Sequence, residues 1–263
     1  LFGCFSAMPL ILTVSNAFKP LDEIFLYPPR FFVKNPTLDN FSDLVNALGT
    51  SLVPFSRYFF NTIMVTIVGT FGHIIISSMC AYPLAKYKVP GGSFIFGLIV
   101  YSLMFPASVT STPNYIILNF LGLIDTYWAL LLPSIAVAYN FFLMKQFTEQ
   151  YPDELIEAAR IDGSGELRIF LKLVMPALAP AWSTLIVFSF VNNWNDYFSP
   201  LIYITSQAMK TLPLALQTIA GGAATASIGR AGAVSAATFI MTIPTIVIFT
   251  IMQGKVLETM TYS

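Results

Sequence analysis

Charge is what this sequence has least of. Only 10% of its 263 residues are Asp, Glu, Lys or Arg, against roughly 25% in soluble domains. Apolar residues make up 56%, more than a soluble fold can hide, so the class is a polytopic membrane protein. The net charge is zero, and nothing points to a nucleic-acid partner. The two cysteines, Cys4 and Cys80, fall in apolar runs without metal or redox spacing, and read as buried free thiols. The single histidine, His73, has no second His, paired intramembrane carboxylates or acid–base set with it, so it reads as a satisfied interhelical group. A glycine-rich phosphate loop is missing too, which excludes nucleotide hydrolysis by this chain.

What is there is apolar length. Six runs, near 1–18, 58–85, 93–114, 127–146, 179–204 and 233–253, are long enough or nearly so to cross a bilayer core of about 30 Å. Backbone amides in hydrocarbon need internal partners, so all six read as helices of an all-α fold. The first run lacks a recognisable cleavage site and reads as part of a transmembrane helix rather than a signal peptide. Pro83, Pro106, Pro113, Pro133 and Pro244 fall in the runs as expected kinks. Small residues in "GTFGHIIISS" and "GAVSAATF" suit close helix approach. With no internal repeat, residues 1–263 read as a single transmembrane domain.

An even span count puts both termini, the short loop 86–92 and the loop 147–178 on one side. That side holds Lys86, Lys88, Lys145, Arg160, Arg168, Lys172 and Lys255; the other holds Lys19, Arg30, Lys34, Arg57, Lys210 and Arg230. The counts nearly tie, but the first side's loops are shorter and denser in base, so loop 147–178 is placed in the cytoplasm. Loops 19–56 and 205–232 are then extracytoplasmic.

The scarce charge is concentrated. Nine charged residues, six acidic and three basic, lie between Glu149 and Lys172. Pro152 and Asp153 read as a helix start, with Glu154 and Glu157 where the helix dipole favours negative charge. Leu155, Ala158, Ala159 and Asp162 share a face by spacing. Gly163 ends that helix, Ser164 is placed to cap a second through "GELRIFLKLV", and Pro176 closes the unit. Helix, glycine corner, helix suits a groove on another protein. The alternative is an amphipathic loop on the lipid surface, although such helices usually favour Lys and Arg.

The stretch "EAARIDGSGELRIFLKLVMP" resembles the EAA loop of permease subunits in ATP-binding-cassette importers: Glu157, Ala158 and Ala159, then Gly163 four residues on, then Pro176 thirteen beyond. Leu173 and Met175 replace the Ile and Leu usual before that proline. The blocks "NTIMVTIVGT", "AYPLAKYKVPGG", "GLIDTYWALLLP", "YPDELIEAARIDG" and "WNDYFSPLIYI" extend the likeness over nearly the whole chain, towards the sugar-importing, MalG-like branch. Asp162 and the "WND" of Trp194, Asn195 and Asp196 are typical of it. The resemblance implies a type I, MetI-like permease fold in the bacterial cytoplasmic (inner) membrane. It further implies a second, homologous permease, two cytoplasmic ATPases that bind the ATP and Mg, an extracytoplasmic solute-binding protein, and a sugar or oligosaccharide as cargo. Glu157, Ala158, Ala159, Asp162, Gly163 and Pro176 would couple the ATPases to the spans.

Asn192, Trp194, Asn195 and Asp196 cluster near the outer end of the fifth run, where amides and an indole can bind a sugar. An interfacial belt capping a helix end is the preferred alternative. Loop 205–232, with "GGAATASIGRAGA", is a candidate probe for the solute-binding protein or a plain connector. The tail "QGKVLETMTYS" looks like the start of the family's cytoplasmic tail. Rival functions are a permease for a non-sugar solute and an ion-coupled carrier, the latter short of intramembrane ionisable groups.

Overall fold

The computed structural model describes residues 2–28, 30–49, 53–220 and 230–261. Segment 221–229, the middle of the small-residue loop, and the side chains of Cys4 and of the tail from Lys255 lie outside that description. Among the described residues the secondary structure is all helical. In chain order the helices are α1 (Phe2–Phe18), α2 (Leu21–Ile24), α3 (Asp39–Gly49), α4 (Phe55–Lys86), α5 (Gly92–Ser102), α6 (Ala107–Phe120), α7 (Tyr127–Ile135) and α8 (Ala138–Glu149). They continue with α9 (Asp153–Ile161), α10 (Glu166–Ile169), a π turn (Phe170–Val174), α11 (Met175–Ala177), α12 (Ala179–Asn195), α13 (Phe198–Tyr203), α14 (Leu212–Ala220) and α15 (Ala231–Thr261).

Three helices have the length and apolarity to cross a membrane: Phe55–Lys86, Tyr127–Glu149 and Ala231–Gly254. A fourth span is added if Glu166–Ala177 and Ala179–Asn195, bent by 76° at their junction, count as one. The remaining expected runs are shorter or broken. Run 93–114 stops at Ser102 and restarts at Ala107, because Pro106 is the N-cap of α6 and cannot continue α5. Run 179–204 divides at Asn195 into α12 and α13. Loop 19–56 is not plain loop: it contains α2 and α3, and Leu44 and Leu48, one turn apart in α3, are buried.

The chain folds into two compact units, Leu1–Ile63 with Trp194–Val247 and Met64–Asn193 with Ile248–Ser263. In the first, α3 packs Leu44 and Leu48 on Tyr58, Leu212, Ala215, Ala233 and Ala237. Neutral side chains tie its bends to backbone carbonyls. Asn40, 3% exposed, donates to the Ala17 and Lys19 carbonyls at 3.0 and 2.7 Å, closing the end of α1. Asn61, fully buried, donates to Ala208 and Lys210 at 2.9 Å each. Thr62 accepts from the Leu212 amide at 2.8 Å. Burial away from water makes each of these bonds obligatory.

In the second unit the core is Tyr82, Met144, Ile156, Ile169, Phe170, Val174 and Leu185 with their neighbours. α4 and α7 approach closely: a Cβ at Gly69 would lie 2.6 Å from Ser134 Oγ. Phe71, Ile75 and Met79 stand exposed along one stripe of α4, as a face meeting lipid or another span requires. Cys80 is exposed rather than buried, because it falls on the open side of that helix.

Candidate functional site

The charged segment forms an elbow. α9 starts at Pro152, whose φ of −62° suits a helix entrance, and Asp153 and Glu154 occupy its first turn. Ile156, 2% exposed, enters the core and Ala159 packs beside it. The opposite face presents Glu154, Leu155, Glu157, Ala158, Ile161 and Asp162 to the outside. Ile161 is 87% exposed and Leu155 49%. The face expected from spacing is therefore split: Leu155, Ala158 and Asp162 point out, whereas Ala159 turns inward.

Gly163 makes the corner at φ +79°, a left-handed geometry that costs any Cβ-bearing residue. Its amide donates to the Arg160 carbonyl at 2.9 Å, and the Ser164 amide to Ala159 at 3.0 Å, the paired closure of a glycine-ended helix. Ser164 is not the second cap; Gly165 is, with no side-chain cap bond, since Ser164 is consumed by the closure. The chain then runs through α10 and the π turn to Pro176, exposed just before the 76° bend. Trp182 donates its indole N–H to the Met175 carbonyl across that bend at 3.0 Å.

Two clamps hold the elbow. Lys86, its side chain 4% exposed, ends α4 and meets Asp153 at 2.7 Å, the Glu149 carbonyl at 3.2 Å and the Tyr151 carbonyl. Arg160 donates Nε–H to Glu166 at 2.7 Å and Nη2–H to the Tyr87 hydroxyl at 2.7 Å, with its guanidinium 5.1 Å from the Tyr87 ring. Tyr87 in turn donates to Glu166, and Tyr82 reaches the same carboxylate at 3.4 Å. The Arg160 bond, then that of Tyr87, holds the Glu166 carboxyl below its ordinary value, and Glu166 and Tyr87 raise Arg160 further above its own. The sequence offers Lys86 only as a base that orients the loop, and Tyr82 and Tyr87 only within the block "AYPLAKYKVPGG"; none of the three reads as a clamp on the elbow.

The other sequence-derived cluster is dispersed. Trp194 is 2% exposed, donates to the Met241 carbonyl at 2.9 Å and meets the Phe59 ring edge-on at 6.2 Å, so its ring is occupied by the protein. Asp196 Oδ1 accepts the Phe198 and Ser199 amides at 3.0 and 3.1 Å and starts α13. Asn192 and Asn195 are exposed, and Asn195 and Tyr197 line a cavity of about 320 Å³ in the first unit. His73 is fully buried, with Nδ1 2.7 Å from the Ile135 carbonyl. Among the described residues no three His, Cys, Asp or Glu converge as a metal site would require.

Residues 2–260 match the family of binding-protein-dependent transport system inner membrane components. The chain belongs to that family. As such a component it is a permease of the inner membrane, a transport subunit rather than a catalytic one, and it works with other transporter components. Among its relatives, the sn-glycerol-3-phosphate transport system permease protein UgpE of Escherichia coli O1:K1 / APEC is 32% identical over 93% of this chain and 87% of its own. The arabinooligosaccharides transport system permease protein AraQ of Halalkalibacterium halodurans is 31% identical over 81% of this chain and 76% of its own. The permease also shares its fold with a chain of a bacterial ABC transporter involved in the import of the acidic polysaccharide alginate, at TM-score 0.82 and 22% identity over 96% of this chain and 91% of that one.

Proposed function

We propose that this permease imports a carbohydrate, driven by ATP that two partner ATPases bind with Mg and hydrolyse, and that the elbow carries their closure to the spans. Residues 1–263 act as one permease domain, with loop 147–178 in the cytoplasm and loops 19–56 and 205–232 outside. A second, homologous permease completes the pathway and an extracytoplasmic solute-binding protein delivers the sugar. The observation that carries this reading is the outward face of α9. Leu155, Ala158 and Ile161 are apolar and exposed while Glu154, Glu157 and Asp162 flank them, the pattern of a helix meant for a groove. Ala158 keeps the centre of that face low for close approach, Glu157 orients it by charge, and Ala159, Gly163 and Pro176 fix the helix to the body behind it.

The carbohydrate assignment draws on relatives whose names specify arabinooligosaccharides and polygalacturonan/rhamnogalacturonan. The test is co-purification of the intact importer. Ala158→Trp is expected to leave membrane insertion intact, strip the ATPases and abolish uptake across a panel of glycans. Full uptake with the ATPases still bound would overturn the docking face.

A further inference from the structure

A groove of about 440 Å³ runs between the end of α4 and the elbow's second arm, the stretch from α10 through the π turn. Met79, Val89 and Leu167 wall it, 54%, 37% and 66% exposed, so a guest can touch all three. Met79 ends the exposed stripe of Phe71, Ile75 and Met79 on α4, and the groove continues that apolar face. The stripe rises about 12 Å at 1.5 Å per residue, within the roughly 15 Å of one leaflet's hydrocarbon. Glu166–Ala177 is bent by 76° from Ala179–Asn195. With α12 crossing the bilayer, the second arm lies almost in the membrane plane, as surface-seeking helices do.

Charge divides between the two arms. The first, α9 and its corner, carries Asp153, Glu154, Glu157 and Asp162 with Arg160; the second carries Arg168 and Lys172 with Glu166. Glu166 also lines the groove, but Arg160 and Tyr87 already hold its carboxylate. Lys88, between the lining residues Tyr87 and Val89, and Arg168, beside Leu167, are exposed, as is Lys172 four residues on. None of these three bases has a hydrogen bond or ion pair among the described residues. Long cationic side chains on the walls of an open apolar groove complement a molecule with an anionic head and a hydrocarbon chain. We propose that the groove seats an anionic phospholipid of the cytoplasmic leaflet, its acyl chain along α4 and its phosphate among Lys88, Arg168 and Lys172. The proposal rests on the cytoplasmic placement of the elbow in the reading above, and gives the second arm a partner distinct from the one that α9 meets.

The test places the intact importer in vesicles carrying a phosphatidylglycerol or a phosphatidylcholine probe with a photoactivatable diazirine on its acyl chain, and maps the adducts by peptide mass spectrometry. At low salt the phosphatidylglycerol probe is expected to label the peptides of Met79, Val89 or Leu167 about tenfold more than the phosphatidylcholine probe. Replacing all three bases, Lys88→Gln, Arg168→Gln and Lys172→Gln, should bring the two probes within about twofold, whereas Lys88→Arg with Lys172→Arg keeps the preference. Leu167→Trp, which fills the groove and leaves the bases, should lower labelling by both. Equal labelling of the native importer by the two probes, or a preference that survives loss of the three bases, overturns the seat. Adducts absent from these peptides overturn it in favour of a neighbouring subunit covering the groove, and adducts displaced by excess inorganic phosphate in favour of a free anion. Any of these results in an importer with its ATPases bound and uptake normal overturns the seat alone. Selective labelling in an importer that binds no ATPase overturns the coupling reading alone.

Discussion

The elbow around Gly163 is held by charged pairs, Lys86 on Asp153 and Arg160 on Glu166, whereas two bends of the first unit are held by neutral amides, Asn40 and Asn61 on backbone carbonyls, beside the buried Lys19 and Glu23, which bind the Arg30 carbonyl and the Lys34 amide. Exposure explains the choice. Glu166 and Asp153 have side chains 52% and 71% exposed, where water solvates a carboxylate at little cost. Asn61 is fully buried, where a charge would be expensive and an amide can satisfy two carbonyls at once. The Arg160–Glu166 clamp, exposed on both sides, is therefore adjustable, whereas Lys86, its side chain 4% exposed, and the amide joints are fixed. That is the division expected if the elbow has to move and the first unit has to hold its shape.

The comparison breaks hardest at the corner. Gly163→Val should abolish uptake while leaving insertion and stability in detergent nearly intact. Beyond its chain neighbours, no described residue comes within 4 Å of the added Cβ, so the main cost comes from φ +79°, a conformation costing a branched residue about 1–2 kcal/mol or more. Gly163→Asn, which tolerates that geometry, should keep much of the activity, and equal loss in both would remove backbone conformation as the cause. Next comes Asn61→Leu, which strips two carbonyls of their donor and should destabilise the first unit by roughly 1–3 kcal/mol in thermal unfolding. An unchanged melting profile would mean that water replaces the amide and that this joint is no more fixed than the elbow.

Smaller effects sharpen the other side. Arg160→Glu should lower uptake roughly two- to fivefold, with partial recovery in the exchanged pair Arg160→Glu with Glu166→Arg. No recovery would assign the loss to the Tyr87 contact instead. The smallest effect is that of acid. Because the Glu166 carboxyl is lowered by Arg160 and then Tyr87 in the folded protein, its contribution is complete above its ordinary value of 4.5 and fades as pH falls through the lowered one. Proteolysis of the elbow at decreasing pH should accelerate below that range, while cleavage in the first unit stays constant; parallel acceleration would put the two joints in one class.

The elbow was legible from the residues because its rules are local: proline at the entrance, acids in the first turn, glycine at the corner, all within a dozen positions. The clamps were not, since Lys86 and Tyr87 meet their partners across 63 to 79 residues. Trp194 reads as a sugar-binding candidate, second to an interfacial belt, because an aromatic among amides has that chemistry; its engagement by Phe59 and the Met241 carbonyl is tertiary and leaves no trace in spacing. Helix α3 did leave a trace, Leu44 and Leu48 behind an acidic first turn, but the asparagines and serine around them read as turn. Run 93–114 looked continuous by hydropathy, and only the backbone preference around Pro106 divides it.

The π turn at Phe170–Val174 gives the elbow a heading as well as a shape. A π turn accommodates more residues per revolution than an α-helix does. Deleting one residue from it would swing everything upstream about 100° around the shaft, the angle one residue subtends in an α-helix. The finger would still be well formed, and it would point at the wrong neighbour. On the docking role proposed above, the sequence length between the corner and α12 would itself set which neighbour the elbow meets, as a key's bitting depends on where along the blade each notch is cut.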